Sequence, residues 1–435
     1  MEIVATLRET LTSQETVTRY RIQASDWTRQ RTLGFVTVVS LILSGHKRAL
    51  QPALNRVFQA LGRVTAVPTA SAYSQARHKL QPTLFQHLNA LVLEGFYRLY
   101  SPDGGVRRWH GRRLVGVDGS VFNVPDTAET RHCYSVQTNQ HADGGRVQAL
   151  GSVCYDLLNH VALSAGLGKK QAEKPFIFTR HLSATDIGDV VVLDRGYTDY
   201  GVMAFLQAHQ REFVIRLSRH SFRVVEPFWT SPALEQVVTL AMPRAQRRFV
   251  AAQGLATTLH VRLIKVALPN GQLEVLATSL LDPQAYPRAE LTTVYGWRWG
   301  VETYYDRLKN IFEIERFSGR SVLSLEQDFY GVIFLATLES VLSKEAETEL
   351  AQQSADAQCK YEARVNRIVS YLALVDHTVA LLLDPHGTRE ETLATLHHLF
   401  KTNPTRYRPG RQFPRKVRSH ARQLWFLRYA RRLIA

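Results

Sequence analysis

Three carboxylates, Asp118, Asp194 and Glu302, stand where acids can do chemistry. Asp118 follows residues 113–117, which read as a short strand, and precedes Gly119-Ser120. Asp194 follows Asp189-Val190-Val191-Val192-Leu193, a buried strand by composition, and precedes Arg195-Gly196-Tyr197. Acids at strand ends, beside glycines, can project into a cleft. If the two strands are neighbours, two anions come close, which is costly unless a cation neutralises them. Mg²⁺ takes oxygen ligands and keeps positions open for water and phosphate oxygens. Two such ions about 3.5–4 Å apart can serve both the attacking and the leaving oxygen of a phosphodiester. Aspartate also suits turns and helix caps, so neither strand end defines a site by itself.

Glu302 adds a second kind of signal. At about 100° per residue, Tyr295, Arg298, Glu302 and Lys309 fall within roughly a 60° stripe of a helix expected over 288–312. One face would then present a phenol, a guanidinium, a carboxylate and an ammonium. The carboxylate suits a metal site, and the cations and phenol suit DNA phosphates around it. A solvated charged face is the ordinary meaning of such a pattern. The like-charge pair Glu302 and Asp306, four residues apart, is unfavourable without a cation nearby and leans against that reading. Glu173 is a candidate supporting residue behind the three acids. His132-Cys133, His141, Asp126, Asp143 and Asp186 read as packing, loop, turn or cap residues. Gly166-Leu167-Gly168-Lys169-Lys170 lacks the phosphate-loop pattern, and Ser120 lacks a nucleophile elbow.

The elements that must carry these residues change in texture along the chain. Residues 1–100 read as helical, with residues 65–72 as a loop entering a helix that bears Arg77, His78 and Lys79. That helix is a candidate DNA-binding face or an ordinary basic one. Ser101-Pro102-Asp103-Gly104-Gly105 is strong turn chemistry. Strands are expected over 146–155 and 160–165, a helix over 171–183, and another from about Tyr200. Strands over 213–217, 257–267 and 273–279, with a turn at Pro269-Asn270-Gly271, mark a β-rich insertion. An apolar helix over about 325–342 follows.

The chain has 435 residues and a net charge of +16. That balance suits a polyanion, nucleic acid before anionic membrane. From Lys401 to Ala435 there are eleven lysines and arginines and no acid. This is a footprint for phosphates, and Trp425-Phe426-Leu427 suggests that part of it packs as a helix. Three cysteines without a CxxC pair exclude a zinc knuckle or disulfide framework. The apolar runs are too short to span a bilayer, and no signal-peptide pattern opens the chain. A cytoplasmic protein is expected.

Tyr295-x2-Arg298-x3-Glu302-x6-Lys309 resembles, at every spacing, the Y-R-E-K signature of insertion sequence 4 family transposases. Val117-Asp118-Gly119-Ser120 and Leu193-Asp194-Arg195-Gly196-Tyr197 resemble that family's two aspartate motifs. Ser71 to Lys79 resembles a stretch of its N-terminal region, and Trp299 also follows its pattern. The resemblance covers about residues 65–345. It implies an α/β fold: a ribonuclease H-like mixed-sheet core interrupted by a β-rich insertion. Expected segments are a helical N-terminal DNA-binding domain (1–105), core (106–211), insertion (212–285), core with the Y-R-E-K helix (286–345) and a helical, basic C-terminal region (346–435). It implies Asp118, Asp194 and Glu302 as metal ligands for two Mg²⁺ ions, with Mn²⁺ as an alternative. It further implies Tyr295, Arg298 and Lys309 as DNA phosphate contacts. The expected partners are double-stranded DNA, as terminal inverted repeats and target, and a second copy of the chain. The expected setting is a prokaryotic nucleoid. Trp229, the only tryptophan within the insertion, does not match the family's base-stacking aromatic.

Overall fold

Alternating and fully apolar runs between residues 114 and 278 pair into one mixed sheet. The computed structural model describes residues 2–29, 31–45, 50–137, 145–267, 271–383 and 387–408. Its strands are β1 (Leu114–Asn123), β2 (Ser135–Gln137), β3 (Arg146–Asp156), β4 (Val161–Gly168), β5 (Val190–Leu193), β6 (Glu212–Leu217), β7 (Glu235–Ala241), β8 (Thr258–Ala267) and β9 (Leu273–Thr278). The order is β2-β3-β1-β5-β6-β9-β8-β7, with β4 also paired to β3. β3 runs antiparallel to both β1 and β4, whereas β5 runs parallel to both β1 and β6. All four residues of β5 are buried, as expected for a strand flanked by parallel partners and covered on both faces.

Three details depart from the sequence reading. Asp118 does not close its strand, because β1 continues to Asn123 on its β3 side. On the other side the ladder to β5 ends at Gly116, paired with Val192. Asp118 therefore lies where one neighbour has stopped and the other has not. Residues 212–217, expected as the start of the insertion, form β6 and join the sheet in parallel with β5. The strand β7, which carries few apolar pairs, was not anticipated.

The chain divides into two compact units. One comprises Leu99–Asn123 and Arg131–Arg307 and contains the sheet. The other comprises residues 1–98, Val124–Thr130 and residues from Leu308 onward, and is helical. Its centre is the helix Val322–Leu342, buried on nearly all sides. Arg77, a candidate DNA contact by sequence, is 3% exposed there. Its Nε donates to Gln327 Oε1 at 2.9 Å, Nη1 to Ser318 Oγ at 2.6 Å, and Nη2 to Asp328 Oδ1 at 3.0 Å. Gln327 in turn donates to the carbonyls of Arg77 and Leu80. Such a satisfied buried ion pair ties helix Ala70–Arg77 to helix Val322–Leu342 and leaves no guanidinium for solvent. No helix among the described residues is long and apolar enough to cross a membrane. Most of the basic tail, residues 409–435, lies outside the described residues, as do His141, Asp143 and the Pro269-Asn270 turn.

Candidate active site

The parallel β1–β5 ladder ends two residues short of each aspartate. Gly116 faces Val192 across the β1–β5 ladder. Asp118 and Asp194 each follow that last pair by two residues, and they lie close enough for the charge of Asp194 to act on the Asp118 carboxyl. Asp194 follows β5 in an extended conformation, and its Oδ1 accepts from Gly196 N–H at 2.8 Å as the cap of the turn Arg195–Tyr197. Asp118 Oδ1 accepts from Gly119 N–H at 2.9 Å.

Glu302 reaches the same end of the sheet from above. The segment expected as one helix over 288–312 is two, Arg288–Trp297 and Trp299–Asn310, broken at Arg298. A Cβ on Gly116 would meet Val301 Cγ2 at 2.6 Å, so the glycine lets the Glu302 helix approach β1. Tyr305, 5% exposed, holds it there. Its hydroxyl donates, shared between the carbonyls of Asp118 at 2.7 Å and Gly151 at 2.9 Å. Burial, and then the nearby Asp118 charge, push the Tyr305 phenol well above 10, so it stays a donor. Sequence reasoning missed Tyr305; only its place three residues after Glu302 hinted at it.

The three acids and Arg298 act on one another. Burial drives the Asp118 carboxyl up to about 7. The Gly119 N–H and Arg298 pull it down, and Asp194 and Glu302 push it up. Arg298 is 6% exposed, and its Nη2 donates to Glu302 Oε1 at 2.8 Å. Its guanidinium sits 5.5 Å from the Tyr295 ring centre and 5.9 Å from that of Trp299. Among the described residues the buried Tyr295 hydroxyl and Arg298 Nε have no hydrogen-bond partner of good geometry, although the two side chains lie close enough for the guanidinium to pull the phenol down; a ligand oxygen would complete both donors. Burial raises the Tyr295 phenol above its usual value. Lys309 lies seven residues beyond Glu302 on the same helix, in the other compact unit. Trp299 is 60% exposed.

Hard oxygen donors crowded near a half-neutral aspartate suit a divalent cation. As they stand, no group of three His, Cys, Asp or Glu among the described residues is spaced to grip one ion. One oxygen of each carboxylate is engaged: Glu302 Oε1 by Arg298, and Oδ1 of each aspartate by a backbone N–H of its own turn. The donor chemistry of these oxygens fits such an ion.

Comparison with known proteins follows from this geometry. The transposase InsG for insertion sequence element IS4 of Escherichia coli (strain K12) is 24% identical over 237 residues, 53% of this chain and 52% of that protein. The chain thus spans about half the length of that relative. A solved chain described as the piggyBac transposase synaptic complex with hairpin DNA, at 8% identity, covers 94% of this chain and 87% of its own, with a TM-score of 0.46. The family model described as a transposase DDE domain matches residues 109–338, just over half of the chain. The chain belongs to the transposase DDE domain family.

Proposed function

We propose that this chain is a cut-and-paste transposase, cleaving DNA at the ends of its own element and joining the freed 3′ ends to target DNA. Asp118, Asp194 and Glu302 are its acidic triad. The observation that carries the reading is the parallel register, Gly116 against Val192, which each aspartate follows by two residues. The mutual influence of Asp118, Asp194, Arg298 and Glu302 supports it. We read β4-β3-β1-β5-β6 as a ribonuclease H-like core, supported by three antiparallel strands followed by two parallel ones. Strands β7, β8 and β9 are then the β-rich insertion.

The family works with divalent metal ions. Two Mg²⁺ ions held by the triad, with Mn²⁺ as a substitute, would activate the attacking oxygen and stabilise the leaving one. The protein's own groups do the rest. Asp118 gives up its proton before it can hold a cation. Arg298 and the Tyr295 hydroxyl take a phosphate oxygen, satisfying the two orphaned donors. As Arg298 turns to phosphate, Glu302 is released toward the aspartates. Tyr305 keeps the Glu302 helix on β1 throughout. Lys309 is assigned to a further phosphate. The partners are double-stranded DNA, as terminal repeats and target, and a second copy of the chain in the paired-end complex. The setting is the cytoplasm, on the nucleoid.

The test uses the full chain and its Glu302→Gln variant with DNA carrying the element's ends, with products resolved on a denaturing gel. Metal-dependent nicking and joining by the wild type, lost in a variant that still binds DNA, is expected. Binding without cleavage by the wild type in both Mg²⁺ and Mn²⁺ would indicate a DNA-binding derivative instead. Nicking without joining would indicate a nuclease.

A further inference from the structure

A row of small residues crosses three strands on the sheet face opposite the Glu302 helix. Gly119 of β1 pairs with Ser152 of β3, and Ser152 pairs with Gly166 of β4. The segment following β4 settles into this trough. A Cβ on Gly166 would meet the Phe176 ring at 3.0 Å, and one on Gly168 would meet it at 2.9 Å. Farther along, His181 bonds to Ser152 Oγ at 2.8 Å and to Ser164 Oγ at 2.7 Å. Burial lowers this imidazole to about 3, so it is neutral and able to donate at one nitrogen while accepting at the other. The segment is pinned by an aromatic ring at one end and a bridging histidine at the other.

What the pinned segment delivers is Glu173, the first residue of the helix Glu173–Phe176. A Cβ on Gly119 would stand 2.7 Å from Glu173 Oε1. The space that a side chain would fill beside Asp118 is thus filled by a carboxylate from another element. Tyr197, 1% exposed and in the turn that Asp194 caps, donates to Glu173 Oε1 at 3.1 Å. Burial, then Glu173 and Asp118 together, push the Tyr197 phenol well above 10. β5 stops at Leu193, so at the level of Asp118 no strand separates the two faces along that edge of β1. A carboxylate on the Gly119 face can there join those on the Asp118 face.

We propose that Glu173 is a fourth carboxylate of the cation site, delivered beside Asp118 through the space left by Gly119 and held by the Tyr197 hydroxyl. The inference rests on the triad reading. Its test measures Mn²⁺ binding by the full chain without DNA, from the electron paramagnetic resonance signal of the free ion. Glu173→Gln and, independently, Gly119→Ala should each weaken Mn²⁺ binding by roughly tenfold or more, the scale of losses around metal sites. Gly119→Ala keeps the carboxylate but displaces it, so it serves if Glu173→Gln folds poorly. Asp118→Asn is the control for the triad. Unchanged binding in the Glu173 and Gly119 variants, with binding lost in Asp118→Asn, would overturn this inference alone. Unchanged binding in Asp118→Asn as well would sink the triad reading with it. A lower melting temperature without any change in Mn²⁺ affinity would reduce Glu173 to a packing residue.

Discussion

Arg298 donates to Glu302 across one helical turn, Nη2 to Oε1 at 2.8 Å, from a guanidinium almost wholly withdrawn from solvent. This couples the residue assigned to phosphate with the residue assigned to metal. Lysine in that place would keep the charge but lose the planar fork and its stacking on Tyr295 and Trp299. Arg298→Lys is expected to lower the rate of end cleavage by about a hundredfold, as for loss of a well-placed transition-state donor. Single-turnover cleavage on saturating DNA is the measurement. A rate within a factor of two of wild type would remove Arg298 from the phosphate site.

The Asp118 carboxyl carries a pH signature. Its folded value of about 7 lies above its ordinary 3.8, chiefly through burial. Ionised Asp118 is therefore less at home in the folded protein than in the unfolded chain. The resulting loss of stability is absent below about pH 4, grows as pH rises, and is complete above about 7. In EDTA, Asp118→Asn should melt higher than wild type at pH 8, and the gap should close on acidification toward pH 4. A gap that does not vary with pH would contradict the crowded, buried carboxyl described here.

Tyr305 joins the Glu302 helix to two strands through one hydroxyl. Tyr305→Phe leaves the Asp118 and Gly151 carbonyls without that donor, at a cost of about 1–3 kcal/mol. Urea unfolding should register the loss. Cleavage should slow as well, because Glu302 and Asp118 are held together through this contact. Full stability in the variant would mean that the hydroxyl is not needed to seat the helix.

Arg77 belongs to the fold of the helical unit. Removing it leaves Asp328 with its Ser318 hydrogen bonds but no cation, and leaves Gln327 Oε1 without its donor, so Arg77→Ala should cost about 3–5 kcal/mol, as for a broken buried pair. Mn²⁺ binding by the protein that remains folded should be unchanged. Weakened DNA binding with unaltered melting would restore the sequence-based view of Arg77 as a DNA contact.

Much of this site was legible in one dimension. The spacing from Tyr295 to Lys309 needs only helical geometry, and apolar runs ending in Asp-Arg-Gly or followed by Asp-Gly point to acids where a buried strand loses a neighbour. The boundaries were less legible. Asp118 looked like a strand end because the apolar run stops at Val117, yet β3 supplies hydrogen bonds as far as Asn123. The helix over 288–312 looked continuous because its periodicity persists through Arg298, which keeps right-handed helical angles while the hydrogen-bond ladder tightens to i→i−3 around it. Residues 212–217 were grouped with the strands after them because strand type does not reveal which neighbour a strand will choose.

The sequence by itself determined which residue types the chain offers to the proposed phosphodiester chemistry: three carboxylates, a guanidinium and a phenol, the last two and one carboxylate at spacings set by helical geometry. It also determined the long-range attraction to polyanions, which depends on charge alone. Only the tertiary structure decided that Asp118 and Asp194 follow neighbouring parallel strands, that Gly116 admits the Glu302 helix, that Arg77 is withdrawn from solvent, and that Glu173 occupies the space beside Gly119. Those relationships depend on strand register and on what fills the space left by an absent side chain. Both are fixed by contacts between residues far apart in the chain, and no local pattern encodes them.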